Sequence, residues 1–247
     1  MKVKKIADFF PFFGMLVASA VIMCIYLFAM NGRELVRILQ VIVSPLVTLV
    51  IPVLNRLCGI RIPLAFNIAV AVFALFAINF ASVLNFYGLI PYYDKILHTT
   101  FGIVGSFGVF ILLLYGKGEK LSPWCFFILI MFCVLGTAAL WEIYEYIANA
   151  IIGSDMQHWI PEMGEVGGMT VEEFFKGGYD PLWDTIWDVI VAGFGVIIFY
   201  IIILADKFCG YKMCKSIYRQ VQIRPAKKEK KPSVEKEAQT ETERHVD

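Results

Sequence analysis

Charged residues are scarce in this chain. Asp, Glu, Lys and Arg make up 17% of its 247 residues, against 59% hydrophobic residues. A soluble domain of this size cannot cover so much apolar side-chain surface, so the composition excludes a soluble globular fold. The net charge of +1 does not bear on nucleic-acid binding, because the distribution of charge is what matters, and we expect no nucleic-acid partner. Several nearly uncharged runs approach or reach the length that crosses the bilayer hydrocarbon, which predicts a polytopic protein surrounded by membrane lipid.

Cysteine patterns and nucleophile motifs are also lacking. The chain has six cysteines, and none of them has the paired spacing of a zinc site. No cysteine falls between residues 152 and 183, the one long polar loop before the tail, so no disulfide can hold that loop. No Ser or Cys nucleophile motif accompanies the polar residues described below, so any hydrolytic chemistry would need another attacking group.

Six apolar runs predict an all-α fold, a polytopic transmembrane helical bundle of about six spans formed by residues 1–206. The second run is the least certain, because Pro45 and Pro52 each interrupt helical hydrogen bonding, and full crossing is left open. Residues 207–247 form a basic and mixed-charge tail with few apolar side chains, which predicts disorder. The runs cover residues 9–30, 38–54, 62–86, 92–115, 123–151 and 184–204.

Lys and Arg are distributed unevenly between the two sides of such a bundle. One side carries the N-terminal lysines, Arg56, Arg61, Lys117, Lys120 and the basic tail, and the other carries only Arg33, Arg37, Lys95 and Lys176. The positive-inside rule therefore predicts that both termini are cytoplasmic and that loop 152–183 lies outside.

Ionisable residues stand at one end of three apolar runs. With the predicted topology all of them lie at one depth, near the outer boundary. Within each run they are three or four residues apart, so each pair shares one helix face. They are Asp94 and His98 in the fourth run, Glu142 and Glu145 in the fifth, and Asp184 and Asp188 in the sixth.

Some of these residues also have a structural interpretation. Asp94 or Asp184 alone could cap a helix N-terminus, and a lone His98 is more often a packed histidine than a ligand. Glu142 and Glu145 end a helix, where acids are unfavourable and cap nothing. Five ionised carboxylates with Lys95 as the only adjacent cation would repel, so some must be protonated or a cation must be present. Ionisable residues at membrane depth indicate function.

Glycines at positions 102, 105 and 108 form a smooth strip on the fourth run, where another helix can approach closely. We therefore expect His98, Glu142, Glu145 and Asp188 to point into one cavity between the fourth, fifth and sixth helices, open to the outer side. Asp94 and Asp184 are expected at its rim.

Three short motifs carry a family resemblance: Asp94-Lys95-x-x-His98, Trp141-Glu142-x-x-Glu145 and Asp184-Thr185-x-Trp187-Asp188. Over about residues 92–195 the chain resembles the YjdF-like membrane-spanning family, and it is more remotely similar to VanZ-like proteins. Glu145 stands where the VanZ-like pattern usually has Gln. The resemblance implies a bacterial cytoplasmic membrane protein and supplies no reaction.

Three hypotheses of function follow. The first is a metal-dependent hydrolase or transferase that acts on a lipid or envelope substrate at the outer face, with Glu142 and Glu145 as catalytic carboxylates. Such donors suit Mn, Fe, Zn or Mg, and metal-activated water would be the attacking group. The second is a cation or proton-coupled transporter, and the third is a non-catalytic partner or sensor. The predicted metal ligands are Asp94, His98, Glu142, Glu145, Asp184 and Asp188.

Overall fold

The computed structural model describes residues 8–57, 61–152 and 181–222. These residues form helices and short connections, with no strand among them. Six helical segments in this part of the chain are long and apolar enough to cross a membrane, as the sequence predicts. We call them the first to sixth spans: Phe10–Ala29, Leu35–Leu57, Leu64–Val83, Tyr93–Tyr115, Pro123–Ala148 and Leu182–Phe208.

The second span is the one that the sequence left open. It consists of two helices, Leu35–Val47 and Val50–Leu57, which with the two residues between them make a span of 23 residues. At the break, the N–H of Thr48 bonds the Pro45 carbonyl at 3.1 Å, a tighter i to i+3 turn. The Thr48 hydroxyl donates to the same carbonyl at 2.6 Å. The prolines therefore bend this segment without shortening it below the length of a span.

Buried polar side chains join the first three spans. Asn79 lies in a π-helical stretch, Leu75–Val83, that continues the helix Leu64–Ala74. Its side-chain amide N–H donates to the Ser44 hydroxyl at 3.1 Å, and Ser44 also contacts the Ser19 hydroxyl at 3.1 Å. These three side chains are nearly inaccessible, so they hydrogen-bond to each other away from lipid. A second π-helical turn, Ile25–Ala29, follows the helix Phe10–Cys24 of the first span.

The fourth to sixth spans pack around a shared apolar core. The fourth is the helix Tyr93–Tyr115, the fifth lies in the helix Pro123–Ile152, and the sixth lies in the helix Pro181–Phe208. A short helix, Phe86–Leu89, precedes the fourth span. At the end distant from residue 94, side chains of all three spans form one cluster that includes Phe110, Ile111, Ile130, Val134, Val196 and Phe199.

The three glycines of the fourth span face three different neighbours. A Cβ on Gly102 would overlap the Ala192 carbonyl of the sixth span, and one on Gly108 would lie 3.1 Å from Phe66 of the third. A Cβ on Gly105 would make an ordinary 3.6 Å contact with Val134 of the fifth. Residues three apart on a helix are rotated by about 60° from each other, so the strip serves three partners rather than one.

The beginning of the predicted tail contains a further helix, Lys212–Gln222. Gly210 and Tyr211 have positive φ angles of 77° and 57°, so the chain turns sharply after the sixth span. Ile217 and Val221 are 5% and 2% exposed and join the core of the last three spans. Part of the region assigned to the tail is therefore docked on the bundle. Residues 223–247 and most of loop 152–183 lie outside the described residues.

Candidate functional site

The six predicted site residues lie together at one end of the last three spans. Asp94 and His98 are in the first turns of the fourth span, Asp184 and Asp188 are in the first turns of the sixth, and Glu142 and Glu145 are in the last turns of the fifth. Contacts between them, given below, join all three helices. With Lys95 they make up what we call the acid–histidine cluster: Asp94, Lys95, His98, Glu142, Glu145, Asp184 and Asp188.

His98 lies among three carboxylates. Its Nε2 atom is 3.5 Å from Glu142 Oε1, 3.7 Å from Asp94 Oδ1 and 3.9 Å from Asp188 Oδ1. These distances are at or beyond the upper limit of a hydrogen bond. The oxygens of Asp94, Glu142 and Asp188 come from the fourth, fifth and sixth spans respectively. These three spans therefore converge at the imidazole nitrogen of His98.

Lys95 binds the opposite side of two of these carboxylates, Asp94 and Asp188, and it also binds Asp184. Its Nζ atom donates to Asp188 Oδ2 at 2.8 Å and to Asp94 Oδ2 at 3.2 Å, and it makes a short contact with Asp184 Oδ1. The outer oxygens of Asp94 and Asp188 are thus held by the ammonium group. Their inner oxygens are left facing His98.

Glu142 is held from the sixth span. The Thr185 hydroxyl donates to Glu142 Oε2 at 3.1 Å, which leaves Oε1 facing His98. The Glu142 residue is 2% exposed, and Asp188 is 1% exposed. Glu145 lies one turn further along the fifth helix and is 8% exposed, so all three acids are removed from lipid and solvent. Asp184, which is expected at the rim of the site, is 7% exposed and so as buried as His98.

Three buried carboxylate oxygens have no hydrogen-bond donor among the described residues. They are Glu142 Oε1, Asp188 Oδ1 and Asp184 Oδ2. A buried oxygen without a donor loses its hydration without replacement, which costs about 1–3 kcal/mol or more for a charged group. Two of the three are the same oxygens that face His98 Nε2.

The cluster holds more negative than positive groups. Five carboxylates, if ionised, carry five negative charges, and Lys95 offsets one of them. Unpaired charges in a buried site are strongly unfavourable. Among the described residues around the cluster no further Lys or Arg pairs with these acids, so protons or a bound cation must supply the remaining balance.

The side chains could hold a metal ion in three overlapping ways. Three groups of three residues have candidate ligand atoms within 4.8 Å of one another, and any two of these groups have one residue in common. Imidazole and carboxylate donors together suit Zn, Mn or Fe, and carboxylates alone suit Mg. The groups are Asp94 with His98 and Asp188, His98 with Glu142 and Glu145, and Glu142 with Asp184 and Asp188.

Three further residues, Lys95, Thr185 and Tyr87, belong to this region and are not among the predicted site residues. The sequence shows Lys95 as a cation adjacent to Asp94. Its contacts with Asp184 and Asp188 depend on the distance between the fourth and sixth spans. Thr185 was part of a quoted motif without a function. Tyr87 precedes the fourth span, and burial, followed by the nearby Asp94 and Glu145 carboxylates, raises the pKa of its phenol. Its ring also packs edge-on against Tyr93, with 5.7 Å between centroids.

Comparison with known families gives one match. Residues 12–207 match the family described as Predicted membrane protein (DUF2238). The chain belongs to the DUF2238 family. That range covers the second to fifth spans of this DUF2238 protein, all but the outermost one or two residues of the first and sixth, and the whole acid–histidine cluster. It agrees with a membrane-protein family of unassigned function, while the YjdF-like and VanZ-like resemblances stay predictions. No curated protein and no solved structure matches the chain.

Proposed function

We propose that the acid–histidine cluster is a divalent-metal centre of a membrane enzyme that acts on a lipid or envelope substrate. The reaction class is metal-assisted hydrolysis or transfer. In this proposal the cluster faces the outside of the bacterial cytoplasmic membrane and both termini are cytoplasmic.

The observation that carries the metal proposal is the surroundings of His98 Nε2. Three carboxylate oxygens face this one atom at 3.5–3.9 Å, and two of them have no described donor. A protonated imidazole nitrogen has a single N–H, which can satisfy only one acceptor. A metal ion with bonds of about 2.1 Å to each donor, and neighbouring donors about 3.0–3.4 Å apart, could instead bind Nε2 together with the oxygens of Asp94 and Asp188, a set whose ligand atoms lie within 4.8 Å of one another. The observed separations are a few tenths of an ångström wider than that range.

Lys95 supports the same assignment. By binding the outer oxygens of Asp94, Asp184 and Asp188 it orients these carboxylates, much as hydrogen bonds from neighbouring groups orient metal ligands elsewhere. Thr185 does the same for Glu142. Both contacts use the carboxylate oxygen that does not face His98, so they leave the inner oxygens of Asp94, Glu142 and Asp188 available for a cation.

Glu142 and Glu145 are proposed as the catalytic carboxylates. Glu142 contacts His98 directly and is the better placed ligand. Glu145 shares a candidate ligand group with both of them and carries the role of general base. In that role Glu145 would take a proton from a water molecule at the cluster, and a metal held there would supply the polarisation that makes this water nucleophilic.

The fifth helix carries an apolar and aromatic surface next to the buried acids of the cluster. Glu142 and Glu145 are buried, whereas Trp141, Tyr144 and Ile147 beside them are 49%, 51% and 49% exposed. One helix therefore presents the acids inward and a broad apolar and aromatic surface outward. A substrate with a polar headgroup and an acyl chain could place the first near the cluster and the second along this surface, which favours a lipid-like substrate.

Metal analysis of the purified protein tests the proposal. Wild-type protein, purified without chelators and incubated with Zn, Mn, Fe or Mg, should retain a stoichiometric amount of one of them. His98→Ala and Glu142→Gln should each lower retained metal at least tenfold. The matched control is Glu34→Gln, which removes an acid that is 65% exposed and pairs with Arg37 outside the cluster.

Two results would count against the metal centre. Equal metal content in wild type, Glu142→Gln and Glu34→Gln would show that any bound metal is adventitious. Absence of metal in every preparation, together with cation uptake by proteoliposomes that needs Asp188, would instead support the transport hypothesis.

A further inference from the structure

A groove lies at the end of the bundle opposite the acid–histidine cluster. It has a volume of about 310 Å³ and runs between the last turns of the fourth span and the helix Lys212–Gln222. Two buried apolar residues of the fourth span, Phe110 and Leu114, form its inner wall. The remaining lining comes from the region after the sixth span, chiefly Tyr211, Lys215, Tyr218 and Arg219.

The helix Lys212–Gln222 is strongly amphipathic. Ile217 and Val221 bury one face against the core, while Lys215, Tyr218 and Arg219 are exposed. Asp206 fixes its start by accepting hydrogen bonds from the backbone N–H groups of Met213 and Cys214, both at 2.9 Å. Because the helix is anchored at both ends, the groove is a built feature of the fold.

Two cations stand side by side at the edge of the groove. Lys215 and Arg219 are four residues apart, so they share one face of the helix. The Lys215 ammonium donates one N–H to the Gly210 carbonyl at 3.1 Å and has two more to offer. Among the described residues that line the groove none is acidic, so the pair has no counter-charge there.

The position of the groove matches the membrane boundary. The fourth span ends at Tyr115 and the sixth at Phe208, and Phe208 is 91% exposed. Tyr211 and Tyr218 flank the groove at 41% and 39% exposure, which is typical of rings at the headgroup level. An apolar wall, two tyrosines and a pair of cations therefore line one groove at the end of the spans, where a phospholipid changes from acyl chain to phosphate.

We infer that this groove binds one anionic phospholipid, with its phosphate between Lys215 and Arg219 and an acyl chain along Phe110 and Leu114. The charge pair selects an anionic over a zwitterionic headgroup, and the apolar wall requires a lipid rather than a free anion. This inference is independent of the proposed metal centre, which lies at the other end of the same spans.

Native mass spectrometry of the full-length, detergent-solubilised protein tests the inference. Phosphatidylglycerol and phosphatidylcholine with identical acyl chains are the two probes. Wild type should retain one phosphatidylglycerol in preference to phosphatidylcholine. Lys215→Gln/Arg219→Gln should weaken phosphatidylglycerol retention roughly tenfold or more, since each cation near a headgroup contributes about fivefold.

The matched control variant loses the same number of positive charges from another part of the same end of the bundle. Arg56→Gln/Arg61→Gln removes two exposed arginines between the second and third spans that do not line the groove, and it should leave retention within about twofold of wild type. Lys215→Arg/Arg219→Lys keeps both charges and should also retain the lipid, which separates a lost charge from a misfolded helix.

Several outcomes would overturn the inference. They are equal loss of phosphatidylglycerol in both double-Gln variants, equal retention of phosphatidylcholine by wild type, or loss of the lipid in the charge-preserving variant. A dimer whose formation depends on Lys215 and Arg219 would assign the groove to a second copy of the chain instead.

Discussion

Gly102 of the fourth span and Gly195 of the sixth lie back to back. A Cβ on Gly195 would come within 2.8 Å of the Gly102 Cα and would overlap the Thr99 carbonyl. Lys95 precedes Gly102 by seven residues, and Asp188 precedes Gly195 by the same seven. Seven residues are about two turns on each helix, and both helices start at the same end, so this contact sets Lys95 opposite Asp188.

Substitution of Gly195 should therefore disturb both packing and the cluster. Gly195→Ala forces the two backbones apart, and we expect a loss of about 1–3 kcal/mol in unfolding free energy, the usual range for overpacking. Thermal unfolding in detergent measures it. Gly136→Ala is the matched control, because a Cβ there meets nothing within 4 Å and Ala favours the helix. Equal stability of the two variants would contradict the close approach.

The ion pairs of Lys95 should be coupled to Asp188. Lys95→Met leaves three buried carboxylates without their cation, and we expect a loss of about 3–5 kcal/mol, as for other broken buried pairs. Asp188→Asn should recover part of this loss in the double variant, since it removes one of the charges left unpaired. A double-mutant cycle by chemical unfolding measures the coupling. Lys117→Met, at an exposed site, serves as the control, and strictly additive effects of Lys95→Met and Asp188→Asn would refute the contact.

Tyr87 should stay protonated in alkaline solution. Burial and the nearby carboxylates raise the pKa of this phenol, so its neutral form persists as pH rises past the ordinary range of about 10. The phenolate absorbance of wild type minus that of Tyr87→Phe should be near zero at about pH 11 in the folded protein. The difference should grow to one tyrosine after unfolding at the same pH. A full tyrosine signal in the folded state would show that Tyr87 is exposed.

The proposed orientation predicts opposite behaviour of two reporter fusions. A cytoplasm-active reporter joined after Gly164 should be inactive, and one joined after Lys231 should be active. The reason is the excess of Lys and Arg on the side that carries both termini. A reporter active only outside the cytoplasm, joined at the same two positions, provides the control. The reverse pattern would place the acid–histidine cluster on the cytoplasmic side.

The location of the candidate site could be predicted from the sequence because apolar run length and spacing are local properties. Runs of about 20 apolar residues determine helices that cross a bilayer, and six of them bring the starts of the fourth and sixth helices to the end of the fifth. Spacings of three and four residues place Glu142 with Glu145 and Asp184 with Asp188 on single helix faces. These local patterns were sufficient to group six site residues on three helices.

The spacing of residues along one helix does not predict how far it lies from a neighbouring helix or how the two are rotated relative to each other. The close Gly102–Gly195 contact brings Lys95 to Asp184 and Asp188. Lys95, which the sequence shows only as a cation adjacent to Asp94, is therefore the centre of the ion pairs. The burial of Asp184, the Thr185 contact with Glu142 and the docking of the helix Lys212–Gln222 likewise depend on neighbours distant in the chain. The sequence by itself determined which helices form and which residues share a face. The tertiary structure decided which faces meet, because the distance between two packed helices depends on the side chains of both.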